Sequence, residues 1–212
     1  MVYGTEGTLN TVVLRQTLLV LNTDTNEKYS SIQAAINACP NDSVCNLQLL
    51  YQAALSSQVT IPNTKNILFD LNDLKITTSN SLNIVNNGEI KFTNGKLDSE
   101  GTQDFSGIIE NNGILTIDDV VITDYDSTRS NLITNNSTGS VYIVSGTLKN
   151  NGASDGGNRY TVQGTLIKNL GGYVEITNAT MEARSVDNYG VTNGIYTGAV
   201  VPDDTQITTN YG

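Results

Sequence analysis

The chain has 212 residues, 38% of them hydrophobic, with 19 glycines, 3 prolines and neither tryptophan nor histidine. Asn, Thr and Gly run throughout and are poor residues for helix interiors, which argues against a long packed helix bundle and for a β-rich chain. A formal net charge of −10, from 21 acidic and 11 basic residues, argues against a protein that grips phosphate backbones with clustered Lys and Arg, and no apolar run approaches the roughly 18 residues of a membrane span.

Residues 1–28 read as strands and turns that do not align with the later repeats. The stretch Thr11 to Leu21 is interrupted by Arg15 and Gln16 and is followed by no small-residue cleavage site, so it reads as a strand and not a signal segment. A helix is predicted over about 30–38, with Ser30 or Ser31 as N-cap and Ile32, Ala35 and Ile36 on one face. It ends at Cys39 because Pro40 restricts the residue before it. Ahead of stacked strands, such a helix has the job of covering the open end of the first coil.

Cys39 and Cys45 flank the turn Pro40, Asn41, Asp42, Ser43. A turn brings Cα atoms within disulfide range, so a bridge and an oxidising, extracellular setting are expected. Two cysteines without any histidine do not complete a four-ligand zinc shell, and no metal or other cofactor is expected.

Strand signals follow at Leu47 and Leu49, at Val59 and Ile61, and at Ile67, Phe69 and Leu71, with a corner at Pro62, Asn63 and Thr64. A frame then recurs: apolar, any residue, apolar, and another apolar five places on. It is read at Phe69, Leu71, Ile76; Ile90, Phe92, Leu97; Leu115, Ile117, Ile122; Val141, Ile143, Leu148; and Val174, Ile176, Met181. Gly88, Gly113, Gly139 and Gly172 precede these copies at one offset, separated by 25, 26 and 33 residues. A glycine just before each strand is expected to supply the positive φ of a tight corner. An earlier strand in each coil is marked by Ile84, Ile109, Ile133 and Ile167, each followed two residues later by Asn86, Asn111, Asn135 or Asn169. Stacked in register at about 4.8 Å, those amides form a hydrogen-bond ladder along the axis. A second polar column, Asp73, Asn94, Asp119, Ser145 and Asn178, marks another corner.

A period in the twenties built from strands and corners is a stacked solenoid, in which no coil buries its face alone. The fold class expected is an all-β, right-handed parallel β-helix with a short N-terminal capping helix. One domain covers 1–212: a cap region at 1–46, stacked coils at 47–182, and a last partial coil or C-terminal edge at 183–212. The chain reads as a segment of a larger protein whose secretion signal and anchor lie outside it.

The segments Tyr29 to Ile36 and Ile61 to Asn72, and the Asn-Gly units such as Asn112-Gly113-Ile114-Leu115-Thr116-Ile117, resemble the right-handed parallel β-helix of the pectate-lyase-like superfamily. They resemble more closely the non-catalytic β-helical segments of large surface proteins from Gram-positive bacteria. The resemblance covers roughly residues 29–182 and speaks to fold far more than to activity.

Polygalacturonase-like hydrolases of that superfamily resemble one another in Asn-Thr-Asp, Asp-Asp, Gly-His-Gly and Arg-Ile-Lys motifs on neighbouring coils. Here Asn22-Thr23-Asp24 precedes the coils, Asp118-Asp119 lies within one, and the histidine and Arg-Ile-Lys motifs are missing. Adjacent Asp118 and Asp119 on a strand are expected to point to opposite faces, unlike a carboxylate pair set across a glycosidic bond. A β-elimination lyase needs a base beside a calcium cluster; Arg129 near Asp124 and Asp126 is the nearest approach, and a solvated acidic loop is the favoured reading of it. The outward pairs Lys91 and Thr93, Thr116 and Asp118, Tyr142 and Val144, Glu175 and Thr177 form no flat threonine rank for ice.

What remains is a surface module. The excursions 98–107, 123–131, 149–165 and 182–194 occupy one phase of the repeat and are expected to leave the solenoid on one side. They carry the candidate ligand-binding residues Tyr125, Arg129, Arg159, Tyr160, Arg184 and Tyr189, side chains suited to stacking and bidentate contacts. The expected function is adhesin-like, non-catalytic binding of a glycan or host surface protein, with no nucleic-acid partner. The alternatives are a passive stalk or phage-type fibre segment, and then a polysaccharide lyase or glycoside hydrolase.

Overall fold

The computed structural model describes residues 17–78, 83–99, 107–124, 131–150 and 165–183, and the backbone of Ile195–Thr197. The described residues begin with β1 (Val20–Asn22), β2 (Glu27–Tyr29), helix α1 (Ile32–Ala38), β3 (Val44–Leu49), β4 (Ala53–Ala54), β5 (Val59–Ile61) and β6 (Asn66–Thr78). A short strand followed by a long one then repeats: β7 (Ile84–Asn86) with β8 (Glu89–Ser99), β9 (Ile109–Asn111) with β10 (Ile114–Asp124), β11 (Asn131–Asn135) with β12 (Ser140–Asn150), and β13 (Thr165–Asn169) with β14 (Tyr173–Ala183). β15 (Ile195–Thr197) follows.

The long strands stack in the order β6, β8, β10, β12, β14, and the short ones in the order β5, β7, β9, β11, β13, β15. Every pairing within these two stacks is parallel. The protein is a parallel β-solenoid of about four turns. β3 joins the long stack in parallel, and β1 closes it antiparallel against β3 and β2.

Register places Ile84, Ile109, Ile133 and Ile167 in one buried column. Phe92, Ile117, Ile143 and Ile176 form another, in which only Ile176, on the last described long strand, is partly exposed. In the first coil the alignment differs from the sequence frame. Phe69 stacks on Phe92 with ring centroids 5.9 Å apart and Ile67 pairs with Ile90, whereas Leu71 lies in a bulge between Asp70 and Leu74. The bulge adds residues that Asn72 and Asp73 accommodate at φ +54° and +58°, and Ile76 then regains register with Leu97.

The five-residue spacing has a backbone cause. In β8 and β10 the strand turns at its polar column: Asn94 and Asp119 sit at φ +52° and +56°, a conformation Asn and Asp tolerate better than most residues, whereas in β12 the positive φ falls one residue later, at Gly146 (+118°). That single left-handed residue switches the inward parity, from Leu115 and Ile117 to Val120 and Ile122 in β10.

The recurring glycines have a different origin from the one expected. None of Gly88, Gly113, Gly139 and Gly172 has a positive φ. A Cβ at Gly113 would instead stand 2.0 Å from the Gly88 carbonyl oxygen, and one at Gly88 would stand 2.2 Å from that of Pro62. The column is glycine because successive corners stack backbone on backbone.

Helix α1 starts at Ser31, whose hydroxyl accepts from the Ala34 N–H at 3.1 Å, and buries Ile32, Ala35 and Ile36. Gln33 exchanges two hydrogen bonds with the Thr60 backbone, and Lys65 Nζ donates to the Cys39 carbonyl at the helix end. A disulfide joins Cys39 to Cys45, so the helix end is tied covalently to the start of β3. Among the described residues no helix is long and apolar enough to cross a membrane.

Candidate functional site

The six side chains singled out in the sequence, Tyr125, Arg129, Arg159, Tyr160, Arg184 and Tyr189, lie outside the described residues. What is described is the scaffold that carries them. The long strands end in register at Ser99, Asp124, Asn150 and Ala183, and the short strands resume in register at Ile109, Ile133, Ile167 and Ile195. The excursions therefore leave from one column of the solenoid and return to another.

The departure column is polar and buried. Thr78, Ser99, Asp124 and Asn150 stack there, each no more than 3% to 4% exposed, beside Asp98 and Thr123. Asp98 accepts from Thr123 Oγ1 at 2.7 Å and pairs with Lys96 and Lys75 at 3.1 and 3.6 Å. The buried, hydrogen-bonded pair of Asp98 and Thr123, with the Thr78 hydroxyl donating to the Asp98 carbonyl, helps fix the geometry at the roots of the loops.

Two amide ladders run along the corner between short and long strands. Inside, Asn86 Nδ2 donates to Asn111 Oδ1 at 2.8 Å, Asn111 to Asn135 at 2.8 Å, and Asn135 to Asn169 at 3.0 Å. Each of these first three also donates to a backbone carbonyl of the next coil, at Ile114, Ser140 and Tyr173. Outside, Asn112 donates to Asn87 at 3.0 Å and Asn136 to Asn112 at 2.7 Å. The sequence reading missed this second ladder, whose signal is the doublet Asn86-Asn87, Asn111-Asn112 and Asn135-Asn136.

The outer face of the long strands holds an open groove of about 390 Å³ lined by Asn46, Gln48, Leu68, Asp70, Lys91 and Thr93 among others. Asp70 in its lining, and Asp118 and Asp24 bonded to the lining residues Lys91 and Asn46, are already engaged. Partial burial of Asp70 opposes ionisation, but donors from Gln48 Nε2 (2.9 Å), the Asn72 N–H (2.9 Å) and Asn94 Nδ2 (3.2 Å) outweigh it and hold the carboxyl below the ordinary aspartate value. Lys91 Nζ at 2.7 Å and the Ser145 hydroxyl at 2.8 Å do the same for Asp118. The backbone N–H and side-chain amide of Asn46 lower Asp24. Carboxyls held ionised in this way are poor general acids, which must carry a proton at working pH.

Asp118 and Asp119 do not point to opposite faces. Asp119 occupies the left-handed corner and is exposed, and Asp118 is turned outward toward Lys91. The alternation rule fails because the strand bends at this residue. Among the described residues, no group of three or more His, Cys, Asp or Glu side chains is placed to hold a metal ion.

Comparison with protein-family models, with curated proteins and with solved structures returns no match for this chain. Its class, a parallel β-solenoid with aligned loop roots and a hydrogen-bonded polar exterior, therefore rests on its own geometry.

Proposed function

We propose that this chain is a non-catalytic recognition module of an extracellular surface protein, in the manner of an adhesin, which holds a glycan or host surface protein along one edge of a β-helix. The observation that carries this reading is the register of the strand ends Ser99, Asp124, Asn150 and Ala183. A scaffold that roots every excursion in one column sets the loop bases side by side, and loops on rigid scaffolds are where binding concentrates. The Cys39–Cys45 disulfide supports an oxidising compartment. Helix α1, with its apolar face in the core, is read as the cover of the first coil.

A passive spacer is the second reading, favoured by the outward polar groups that satisfy one another, as in Gln48 with Asp70 and Lys91 with Asp118. A glycan array and a pull-down from host surface extracts separate the two. Recognition predicts saturable capture that falls when Arg159 and Tyr160 are changed to Ala or residues 151–164 are replaced by a short turn, with the melting temperature unchanged. Absence of capture supports the spacer, and turnover of a polysaccharide by the purified protein overturns both.

A further inference from the structure

An aromatic platform stands on the outer face of the long strands, away from the loop edge. Tyr142 and Tyr173 lie on neighbouring strands with ring centroids 5.6 Å apart and planes tilted by 50°. Tyr173 is 48% exposed, and its hydroxyl donates to Glu175 Oε2 at 2.7 Å. Register sets Glu175 directly across from Tyr142, and sets Ile114, 42% exposed, across Ser140 from Tyr173. The floor of the patch is thus two columns, Ile114, Ser140, Tyr173 and Thr116, Tyr142, Glu175, with hydroxyls and a carboxylate interleaved among apolar faces. The core does not call for these rings, since the inward neighbours Val141, Ile143, Val174 and Ile176 supply the packing.

We propose that this platform binds a pyranose ring of a neutral glycan. The apolar C–H face of a sugar ring matches an exposed tyrosine ring, and sugar hydroxyls donate to a flanking carboxylate such as Glu175 in charge-assisted hydrogen bonds. Charge selects among sugars. Lys91, which shares the outward column of Tyr142, is paired with Asp118 at 2.7 Å, and Glu175 borders the rings, so a uronate would meet like charge. A neutral ring meets none. The inference goes beyond the recognition reading: it adds a second contact, on the strand face and for a neutral glycan, that is independent of the loop edge and stands or falls separately from it.

The test is isothermal titration with cellohexaose and maltohexaose as neutral probes and an oligogalacturonate as the acidic one, joined by saturation transfer from the tyrosine rings of the wild-type protein. The platform predicts saturable binding of a neutral hexaose and saturation transfer to its ring protons. Affinity should fall by about tenfold or more in Tyr173→Ala and Tyr142→Ala, and stay within about threefold in Tyr173→Phe, which keeps the ring. The Arg159→Ala, Tyr160→Ala double variant should bind the hexaose as wild type does. Failure of both neutral probes to bind, preference for the uronate, or no transfer from the tyrosines overturns the proposal. So does loss of binding in the loop double variant alone, or a self-association by light scattering that Tyr173→Ala abolishes. If an alanine variant does not fold, shifts of the assigned Tyr142 and Tyr173 ring resonances of the wild-type protein on titration with the hexaose decide the matter, and unmoved ring resonances at both positions overturn the proposal.

Discussion

Replacing Asn111 with Ala tests the interior ladder at its centre. Its side chain accepts from Asn86 Nδ2 and donates to Asn135 Oδ1, the Ser140 carbonyl and the Gly113 carbonyl, all in a site with no solvent exposure. The substitution strands the Asn135 amide oxygen from its ladder donor and leaves Asn86 Nδ2 with the Ile114 carbonyl. Each orphaned buried polar group costs about 1–3 kcal/mol, so a total loss of about 2–4 kcal/mol is expected. For a domain of this size, one kcal/mol corresponds to about 2–4 °C in melting temperature. Urea unfolding followed by far-UV circular dichroism reads the loss, with Asn112→Ala in the half-buried outer ladder as the comparison, expected to cost about 1 kcal/mol or less. The double variant Asn111→Ala, Asn135→Ala should cost less than the sum of the two single variants, because the second change removes a group that the first orphaned. An Asn111→Ala loss no larger than that of Asn112→Ala, or strict additivity in the double variant, would refute the reasoning.

Ile117→Ala should cost about 2–5 kcal/mol through the cavity left in a fully buried column, whereas the exposed Val121→Ala should stay within about 0.5 kcal/mol; denaturant midpoints compare them. Gly113→Ala should cost about 3 kcal/mol or more, since its Cβ meets the carbonyl of the coil below, and the same assay reads it. Opening the small Cys39–Cys45 loop with paired serine substitutions should remove about 2 kcal/mol. Asp70 and Asp118 have folded pKa values below their unfolded ones, so the stability they contribute is present at neutral pH and is lost as pH falls below about 4. Melting temperature against pH should therefore decline less steeply on the acid side for Asp70→Asn than for wild type.

The coil repeat was legible because its cause is local in sequence: alternation within a strand, a polar corner, and an asparagine at a fixed offset. Asn86, Asn111, Asn135 and Asn169 and their apolar neighbours fall where the period puts them. Two things were not legible. The bulge at Asp70 to Leu74 shifts Phe69 from pairing with Ile90 to pairing with Phe92, and only the partner strand reveals that. The glycine column looks the same in sequence whether it serves a positive φ or a close approach, and the stacked carbonyls of Pro62 and Gly88 identify the second. For the candidate site, the phase of the excursions was legible from the repeat. The contact of Tyr142 with Tyr173 was not read, although the repeat alignment sets Glu175 opposite Tyr142 and Tyr173 on the diagonal; the ring contact itself depends on side-chain rotamers that the repeat does not specify.

The alignment of the loop roots depends on parallel, in-register stacking, and a single distance tests that stacking. Leu68, Lys91, Thr116, Tyr142 and Glu175 occupy one outward column on successive strands. At about 4.8 Å per coil, nitroxide labels at Leu68→Cys and Glu175→Cys should stand roughly 19 Å apart, broadened by their linkers. Double electron–electron resonance that gives one population near this distance supports the account; a main population beyond about 30 Å would contradict it.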